Sequence, residues 1–175
     1  MRTAYIGMGG NLASWAGSPE ATLAAAALRL ESLGRLVCRS SLYSTEPVGI
    51  ASQPRFVNAV VGLETELEPK ELLRGLLIIE KKFGRDRATG VPNGPRTLDL
   101  DILLCGDLVI SEPGLEIPHP RLAERAFVLI PLNEIAPETV VPRAGTVARL
   151  LEGLQTESDA VVRIQSDAWE ALTRF

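Results

Sequence analysis

The chain has 175 residues, of which 46% are apolar and 23% charged, and its formal net charge at pH 7 is −4. These values are typical of one globular domain, which buries roughly 70% of the surface of its unfolded chain at this size. The negative charge argues against a general nucleic-acid or anionic-membrane surface, because both are bound by summed positive charge. We expect a monomer with a core that is stable without cross-links, bound metals or obligatory partners.

The start of the chain shows no positively charged segment followed by a long apolar run, and no run reaches transmembrane length. The sequence therefore predicts a cytoplasmic location. The two cysteines, Cys38 and Cys105, lie inside apolar runs and lack CxxC spacing. This setting favours buried free thiols over ligands or a disulfide.

The first predicted strand, residues 4–8, runs into a turn rich in glycine that ends at Asn11. The glycines resemble a dinucleotide-binding loop, but the third glycine and the acidic residue of that motif are missing. Ser18 followed by Pro19 is typical of an N-cap and first helical position. The Ala- and Leu-rich run up to Leu33 therefore predicts a helix.

Two further strands are predicted at residues 36–44 and 56–65, on either side of an irregular stretch that contains two prolines. A second helix begins at Pro69, because apolar residues recur after it at helical spacing, and a strand at residues 98–105 follows. The order β-α-β-β-α-β predicts an α+β protein with the ferredoxin-like fold, an antiparallel sheet with helices packed on one face.

The remainder of the chain is less regular. Helices are predicted at residues 124–132 and 147–154, after a proline-rich segment. We expect a single domain over residues 1–175, with a core at about residues 3–138 and a peripheral C-terminal extension at about residues 139–175.

Asp99 and Asp101 alternate with apolar residues in the last core strand, so both carboxylates project from one face, with Cα atoms about 7 Å apart. Two like charges at this separation raise each other's pKa, and a hard divalent cation would relieve the repulsion. From the DxD pattern alone, a solvated strand face with two incidental acids is slightly favoured over a metal site.

A cationic cluster precedes the acidic pair in this acidic chain. Its members are Lys81, Lys82, Arg85, Arg87 and Arg96. Acids for Mg²⁺ beside arginines for phosphate oxygens is the arrangement that phosphoryl-type transfer needs. The alternative is that these arginines form surface salt bridges with Glu80, Asp99 and Asp101.

Two polar residues stand out from their surroundings. His119, the only histidine, lies between two prolines in a rigid stretch close to Arg121 and Arg125, where a phosphate contact and a structural role are equally plausible. Asn58 interrupts the apolar strand at residues 56–65. If it is buried it needs partners, which the edge of a heterocycle or a structural hydrogen bond could supply.

Residues 94–104, with the sequence GPRTLDLDILL, resemble the signature of the 6-hydroxymethyl-7,8-dihydropterin pyrophosphokinase family of folate biosynthesis. Segments that resemble the family in order and spacing lie at residues 5–12, 43–49, 53–58, 80–87 and 118–127. The resemblance implies the ferredoxin-like fold, with ATP as donor, two Mg²⁺ ions as cofactors, and AMP and a pterin diphosphate as products. It implies ATP and the hydroxymethyl-dihydropterin as partners, without nucleic acid or membrane.

The resemblance also implies roles for individual residues. The catalytic residues would be Arg85, Arg96, Asp99 and Asp101, and Asp99 and Asp101 would hold both metal ions. The ATP-binding residues would be Glu80, Arg87, His119 and Arg125. The pterin-binding residues would be Thr45, Glu46, Val48, Gln53, Phe56, Asn58 and Phe127. Asn58 would bind the edge of the ring, and Phe56 and Phe127 would stack on its faces.

The chain departs from the family pattern at Asn93, where some members have a tryptophan that closes over the substrate, and at Pro120, which replaces an aromatic residue.

The loops at residues 46–55 and 85–93 are rich in glycine and proline and are predicted to act as lids. Two other functions are alternatives for a chain of this kind. An RNA-binding module of this fold is disfavoured by acids on the sheet and by the net charge, and an ordinary kinase would transfer only the γ-phosphate.

Overall fold

A computed structural model describes residues 1–155 and 160–172. Residues 156–159 and 173–175 of the predicted extension lie outside the described part. The strands are β1 (Arg2–Gly10), β2 (Arg35–Arg39), β3 (Leu42–Thr45), β4 (Phe56–Thr65), β5 (Asp99–Cys105), β6 (Ile110–Glu112), β7 (Leu115–Ile117), β8 (Val140–Val141), β9 (Gly145–Thr146) and β10 (Val161–Ile164). The helices are α1 (Pro19–Leu30), α2 (Pro69–Lys82), α3 (Ala126–Ile135), α4 (Val147–Gly153) and α5 (Asp167–Glu170), with a 3-10 turn at Leu122–Glu124.

The main sheet has six strands in the order β10-β3-β4-β1-β5, with β2 also paired to β4. All of these pairs are antiparallel. The strands of the predicted βαββαβ core have the spatial arrangement of the ferredoxin-like fold, so the fold prediction is confirmed. Two short hairpins, β6-β7 and β8-β9, form separate sheets.

Helices cover both faces of the sheet. Helices α1 and α2 pack on one face, where alternate side chains of β1 (Ala4, Ile6 and Met8) enter a common core with them. Helices α3 and α4 cover part of the opposite face, over Val60 of β4 and Leu103 of β5. The prediction that the core helices pack on one face of the sheet therefore holds for α1 and α2. Helices α3 and α4 cover only part of the opposite face and leave the rest of it open.

The start of α1 matches the sequence prediction. Pro19 is the first helical residue, and the Ser18 side chain caps the helix by accepting a hydrogen bond from the backbone N–H of Ala21 at 3.3 Å. The helix ends at Leu30, three residues before the predicted end. Helix ends are set by local capping, which the apolar pattern does not specify.

The prediction of a single strand at residues 36–44 is wrong, because the structure divides this segment into β2 and β3. At the break, the Ser40 hydroxyl accepts a hydrogen bond from the backbone N–H of Val60 at 3.0 Å, in place of a backbone carbonyl. The N–H of Ser41 turns away from the sheet and donates to the Glu134 carboxylate of α3 at 3.0 Å. A serine side chain that competes with the backbone ladder therefore interrupts the strand.

The C-terminal segment contributes to both sheet and core. Strand β10 pairs with β3 along its whole length. Trp169 of α5 is fully buried, and its indole N–H donates to the backbone oxygen of Ser40 at 2.9 Å. The limits of core and extension stay a prediction. Within the described ranges, no helix has both the length and the apolarity to cross a membrane.

The chain's two tryptophans offer a test of how far the C-terminal segment stabilises the fold. Trp169→Ala is expected to lower the free energy of unfolding by about 3–5 kcal/mol, because it empties a fully buried site. Trp15→Ala is the comparison, since Trp15 is 67% exposed, and loss of its stacking on Phe83 and of its hydrogen bond to the Lys82 oxygen is expected to cost only about 1–2 kcal/mol. Urea denaturation followed by circular dichroism measures both. Equal losses in the two variants would show that the segment does not belong to the cooperative core.

Candidate active site

Glycines of β1 form the floor of the candidate site, on the face opposite α1 and α2. Gly9 pairs with Asn58 of β4 on one side and with Asp99 of β5 on the other, and Gly7 lies opposite Asp101. A Cβ atom on Gly9 would lie 2.5 Å from the Asn58 side-chain oxygen, which leaves no room for a larger residue. The glycines therefore provide space above β1. Because they lie within a strand and not in a loop, their position agrees with the prediction that they do not form a dinucleotide-binding loop.

The acidic pair lies above this floor, and its two members differ in their partners. Asp99 has three arginines within ion-pairing distance, with Arg96 at 3.3 Å, Arg87 at 3.4 Å and Arg85 at 3.9 Å. For Asp101, burial and then the neighbouring carboxylates of Asp99 and Glu80 raise the pKa to about 6. The repulsion therefore falls mainly on Asp101, whose pKa the charges of Arg87 and Arg125 lower only in part.

Glu80 anchors this charge cluster from the end of α2. Its carboxylate is buried, accepts two hydrogen bonds of 2.8 Å from the Arg87 guanidinium, and accepts a third of 2.8 Å from the backbone N–H of Leu100. Its oxygens are therefore engaged by protein groups. The predicted role of Glu80 in ATP binding stays a prediction, and the contacts seen here fix Arg87 and β5.

Arg85 and Arg96 carry unused hydrogen-bond donors. Among the described residues, Nε and Nη1 of Arg85 and Nε of Arg96 are buried without a hydrogen-bond partner. The 3.3 Å approach of Arg96 Nε to Asp99 is an ion pair whose N–H is not aligned for a hydrogen bond. Burial is the main cause that lowers the pKa of Arg85. Buried donors without acceptors are costly, so these groups fit an anionic ligand that supplies oxygens.

His119 faces the acidic pair from the segment between β7 and the 3-10 turn. Its backbone N–H donates to the Leu103 oxygen at 2.9 Å, and its Nδ1 accepts the backbone N–H of Arg121 at 3.1 Å. Burial, and then the charge of Arg125, lower the pKa of His119, so the ring is neutral at pH 7. With Nδ1 as acceptor, the proton lies on Nε2, which makes that nitrogen the donor available to a ligand.

The predicted pterin-binding residues line a small pocket beside the acids. Its walls are Thr45, Glu46, Val48, Phe56, Asn58, Asn93, Arg96, Arg125 and Phe127, and its volume is about 40 Å³. Two guanidinium groups reduce this space, because Arg96 lies 4.7 Å from the centre of the Phe56 ring and Arg125 lies 5.4 Å from that of Phe127. The faces of the two phenylalanine rings on which a flat ligand would stack are therefore covered by planar guanidinium groups.

Gln53 is not among the residues that line this pocket, and both the oxygen and the nitrogen of its amide already have protein partners. Its oxygen accepts a hydrogen bond from Asn11 at 3.0 Å, and its nitrogen donates to the backbone oxygens of Ile50 and Asn93. Asn11 also accepts the backbone N–H of Arg96 at 2.9 Å. Gln53 therefore connects the two predicted lid loops, and its predicted contact with a pterin stays a prediction.

Sequence reasoning missed a larger apolar cleft, of about 490 Å³, on the other side of the acids. Its lining includes Leu73, Leu77, Leu100, Ile102, Leu115, Glu116 and Pro120. Asp101, Arg87 and His119 lie at its polar end. In the sequence, Leu73 and Leu77 widen the apolar stripe of α2, and their spacing predicts a helix without distinguishing the wall of a cleft from a core.

The three spaces adjoin one another and share lining residues. A central pocket contains Asp99, and it shares Asp101 and His119 with the apolar cleft. The central pocket also shares Asn58, Arg96, Arg125 and Phe127 with the small pocket. The acidic pair therefore lies between two flanking spaces of different character.

Two flanking spaces around acids and arginines, on a ferredoxin-like sheet, define an α+β protein of the group-transfer class. The profile of the 7,8-dihydro-6-hydroxymethylpterin-pyrophosphokinase (HPPK) family matches residues 5–137. The chain belongs to this family.

Relatives and solved structures agree with this assignment. A 2-amino-4-hydroxy-6-hydroxymethyldihydropteridine pyrophosphokinase of Pseudomonas aeruginosa is 44% identical over 149 residues, which cover 84% of this chain and 88% of the relative. The Haemophilus influenzae protein of the same name is 43% identical over 87% of this chain and 92% of its own. A crystal structure of Plasmodium falciparum HPPK-DHPS covers 86% of this chain, with a TM-score of 0.66 at 17% identity, which shows the fold alone. The chain spans 44% of that structure's length.

The raised pKa of Asp101 predicts a stabilising substitution inside the site. Between about pH 4 and 6 the folded state holds this proton more tightly than the unfolded chain, so wild-type stability falls as pH rises through that window. Asp101→Asn is expected to raise the free energy of unfolding by roughly 1–3 kcal/mol at pH 8 without divalent cations. Urea denaturation at pH 4 and pH 8 measures the difference.

The gain should vanish at pH 4, where the wild-type carboxyl is protonated as well. Asp107→Asn, in the exposed turn after β5, is the matched control and should change stability little at either pH. No gain for Asp101→Asn at pH 8 would contradict the charge repulsion described here.

Proposed function

We propose that the chain transfers pyrophosphate from ATP to the hydroxymethyl group of 6-hydroxymethyl-7,8-dihydropterin, with AMP and the pterin diphosphate as products, in folate biosynthesis. One observation carries this proposal. The acidic pair and its arginines lie between the apolar cleft and the small pocket that Phe56 and Phe127 line, and both spaces adjoin them. A reaction between a nucleotide and a flat heterocycle needs a separate space for each and charge compensation where they meet.

The small pocket with the two phenylalanine rings is the proposed pterin site. Asn58 is buried and lines this pocket with Phe56 and Phe127. Its amide nitrogen donates to the Thr45 hydroxyl at 2.7 Å, so its oxygen remains to accept from the ring edge. The space of about 40 Å³ is too small for a pterin ring. Binding therefore requires the guanidinium groups over the two phenylalanine rings to move, with Glu46 and Val48 as the outer wall.

The apolar cleft is the proposed site for the nucleoside of ATP. Leucine and isoleucine side chains suit the faces of a purine, and the polar end with Arg87, His119 and Asp101 points towards the proposed phosphate site. The neutral His119 would donate its Nε2–H to a phosphate oxygen, and Arg125 would add positive charge. Glu80 would act mainly by holding Arg87 in place.

Mg²⁺ is the proposed cofactor, with two ions bound by Asp99 and Asp101. The donor set fits a hard cation, because the two carboxylates share one face and the pKa of Asp101 is raised by burial and by its acidic neighbours. In the described ranges, no three acidic, histidine or cysteine residues form a complete metal site. Phosphate oxygens and water would therefore complete the coordination. When bound, the metal would neutralise charge on the phosphates.

In the proposed reaction, the hydroxymethyl oxygen attacks the β-phosphorus in line, and the bond between this phosphorus and the oxygen that leaves with AMP breaks. The hydroxyl proton is lost to solvent, and no strong general base is required if the transition state is loose. Arg85 and Arg96 would donate their free N–H groups to the transferring oxygens. We also propose that the protein is a single-domain, cytoplasmic monomer that acts on small molecules.

Product analysis tests the proposed function. The wild-type protein is incubated with ATP, Mg²⁺ and hydroxymethyl-dihydropterin, and the nucleotides are separated by chromatography. AMP is expected in step with the pterin diphosphate, and chelation of Mg²⁺ is expected to stop both. ADP in place of AMP would identify an ordinary kinase, and no turnover would sink the proposal. Asp99→Ala is expected to lose turnover and keep its fold, because its side chain faces away from the α1 and α2 core.

Arg85→Ala separates catalysis from binding. The Arg85 guanidinium approaches Asp99 and has free buried donors, so its loss is expected to lower kcat by about 100-fold or more while the pterin affinity stays nearly unchanged. Lys81→Ala removes an exposed cation of the same segment and is expected to change kcat by about threefold at most. A loss confined to pterin affinity would assign Arg85 to the binding of the ring.

A further inference from the structure

The outer wall of the proposed pterin pocket depends on a part of the chain beyond the family match, which ends at residue 137. Strand β3 ends in Thr45, whose hydroxyl accepts the Asn58 amide inside the pocket. Among the described strands, only β10 pairs with β3 on its other side, with Thr45 opposite Val161 and Ser44 opposite Val162. Without β10, the strand that carries this wall would be a sheet edge.

Arg55 joins β3 to the segment that leads into β10. It lies at the start of β4, and one guanidinium makes four hydrogen bonds. Nε donates to the Ser44 hydroxyl at 2.9 Å, Nη1 donates to the Glu46 carboxylate at 2.9 Å, and Nη2 donates to the backbone oxygens of Ser44 at 3.1 Å and Ala160 at 3.2 Å. The two ends of the loop at residues 46–55 are thereby fixed to each other and to the C-terminal segment.

A second contact strengthens this junction, and the far end of the segment is also held. The backbone N–H of Glu46 donates to the Ala160 oxygen at 3.2 Å. Beyond β10, Trp169 donates to the Ser40 oxygen, and the Arg39 guanidinium donates to the Leu172 oxygen at 3.0 Å while lying 5.6 Å from the centre of the Trp169 ring. Strand β10 is therefore attached at both ends.

The geometry of Arg55 matters more than its charge. The ion pair with Glu46 is partly exposed, with 39% and 68% of the two side chains accessible, and such pairs contribute little. The four hydrogen bonds instead use the planar fork of the guanidinium, which a lysine ammonium cannot reproduce.

We infer that Arg55 and the C-terminal strand β10 form a positioning device that holds the Thr45–Glu46 wall ready for the pterin ring. The inference rests on the proposed function only in naming the pterin as the ligand. A wall that is ordered before binding lowers the entropy cost of ordering it with the ligand. Arg55 touches no reacting atom in this scheme, so its effect should appear in pterin binding and not in the chemical step.

Steady-state kinetics with each substrate varied in turn test the inference. Arg55→Ala is expected to raise the KM for the pterin about tenfold, with kcat and the KM for ATP within about twofold of wild type. Arg55→Lys is expected to stay impaired, because it keeps the charge and loses the fork. Arg35→Ala is the matched control, since Arg35 forms an exposed ion pair with Glu64 at the other end of β4. It should match wild type.

Hydrogen exchange gives a readout that does not require turnover. The peptide that contains Glu46 is expected to exchange several times faster in Arg55→Ala than in wild type or Arg35→Ala, because the amide of Glu46 loses its fixed acceptor. Unchanged pterin KM, full recovery in Arg55→Lys, or unchanged exchange would each overturn the inference. If wild type produces no AMP, the proposed function fails, and the exchange experiment still decides whether Arg55 orders the wall.

Discussion

The repulsion between Asp99 and Asp101 is the constraint on which the rest of the site depends. A strand places alternate side chains on one face, so the two carboxylates cannot move apart without breaking β5. Three arginines contact Asp99, whereas Asp101 keeps a raised pKa. The protein thus holds a charge arrangement that is unfavourable alone and that a cation with a polyanionic ligand would complete.

The surrounding structure keeps this arrangement in place. Glu80 binds both Arg87 and the backbone of β5, and Asn11 binds the backbone of Arg96 while it contacts Gln53. These buried polar residues connect α2, the end of β1 and both loops to the charged centre. Because Glu80 and Asn11 each bind a backbone group as well as a side chain, they attach Arg87 and the backbone of Arg96 to the surrounding fold.

Much of the fold could be predicted from the sequence, because the strands and α1 and α2 carry strong periodic or capping patterns. The break at Ser40 could not, since it depends on a serine hydroxyl that competes with a backbone carbonyl of a distant strand. The acids and arginines were found because charged residues cluster in one segment. The apolar cleft was not found, because Leu73 and Leu77 have the same periodicity whether they line a cavity or fill a core. Likewise, Gln53 is polar and close to the site, and only coordinates show that its amide is already used.

The two faces of β1 have opposite demands. Ala4, Ile6 and Met8 fill the core against α1 and α2, whereas Gly7 and Gly9 leave space on the other face at the expense of strand propensity. Attempts to engineer a more heat-resistant enzyme should therefore leave the glycine face alone and redesign the helix-covered face. Since alternate residues of one strand face different layers, the two sets of positions can be varied separately in a library, with activity screened on one and folding on the other.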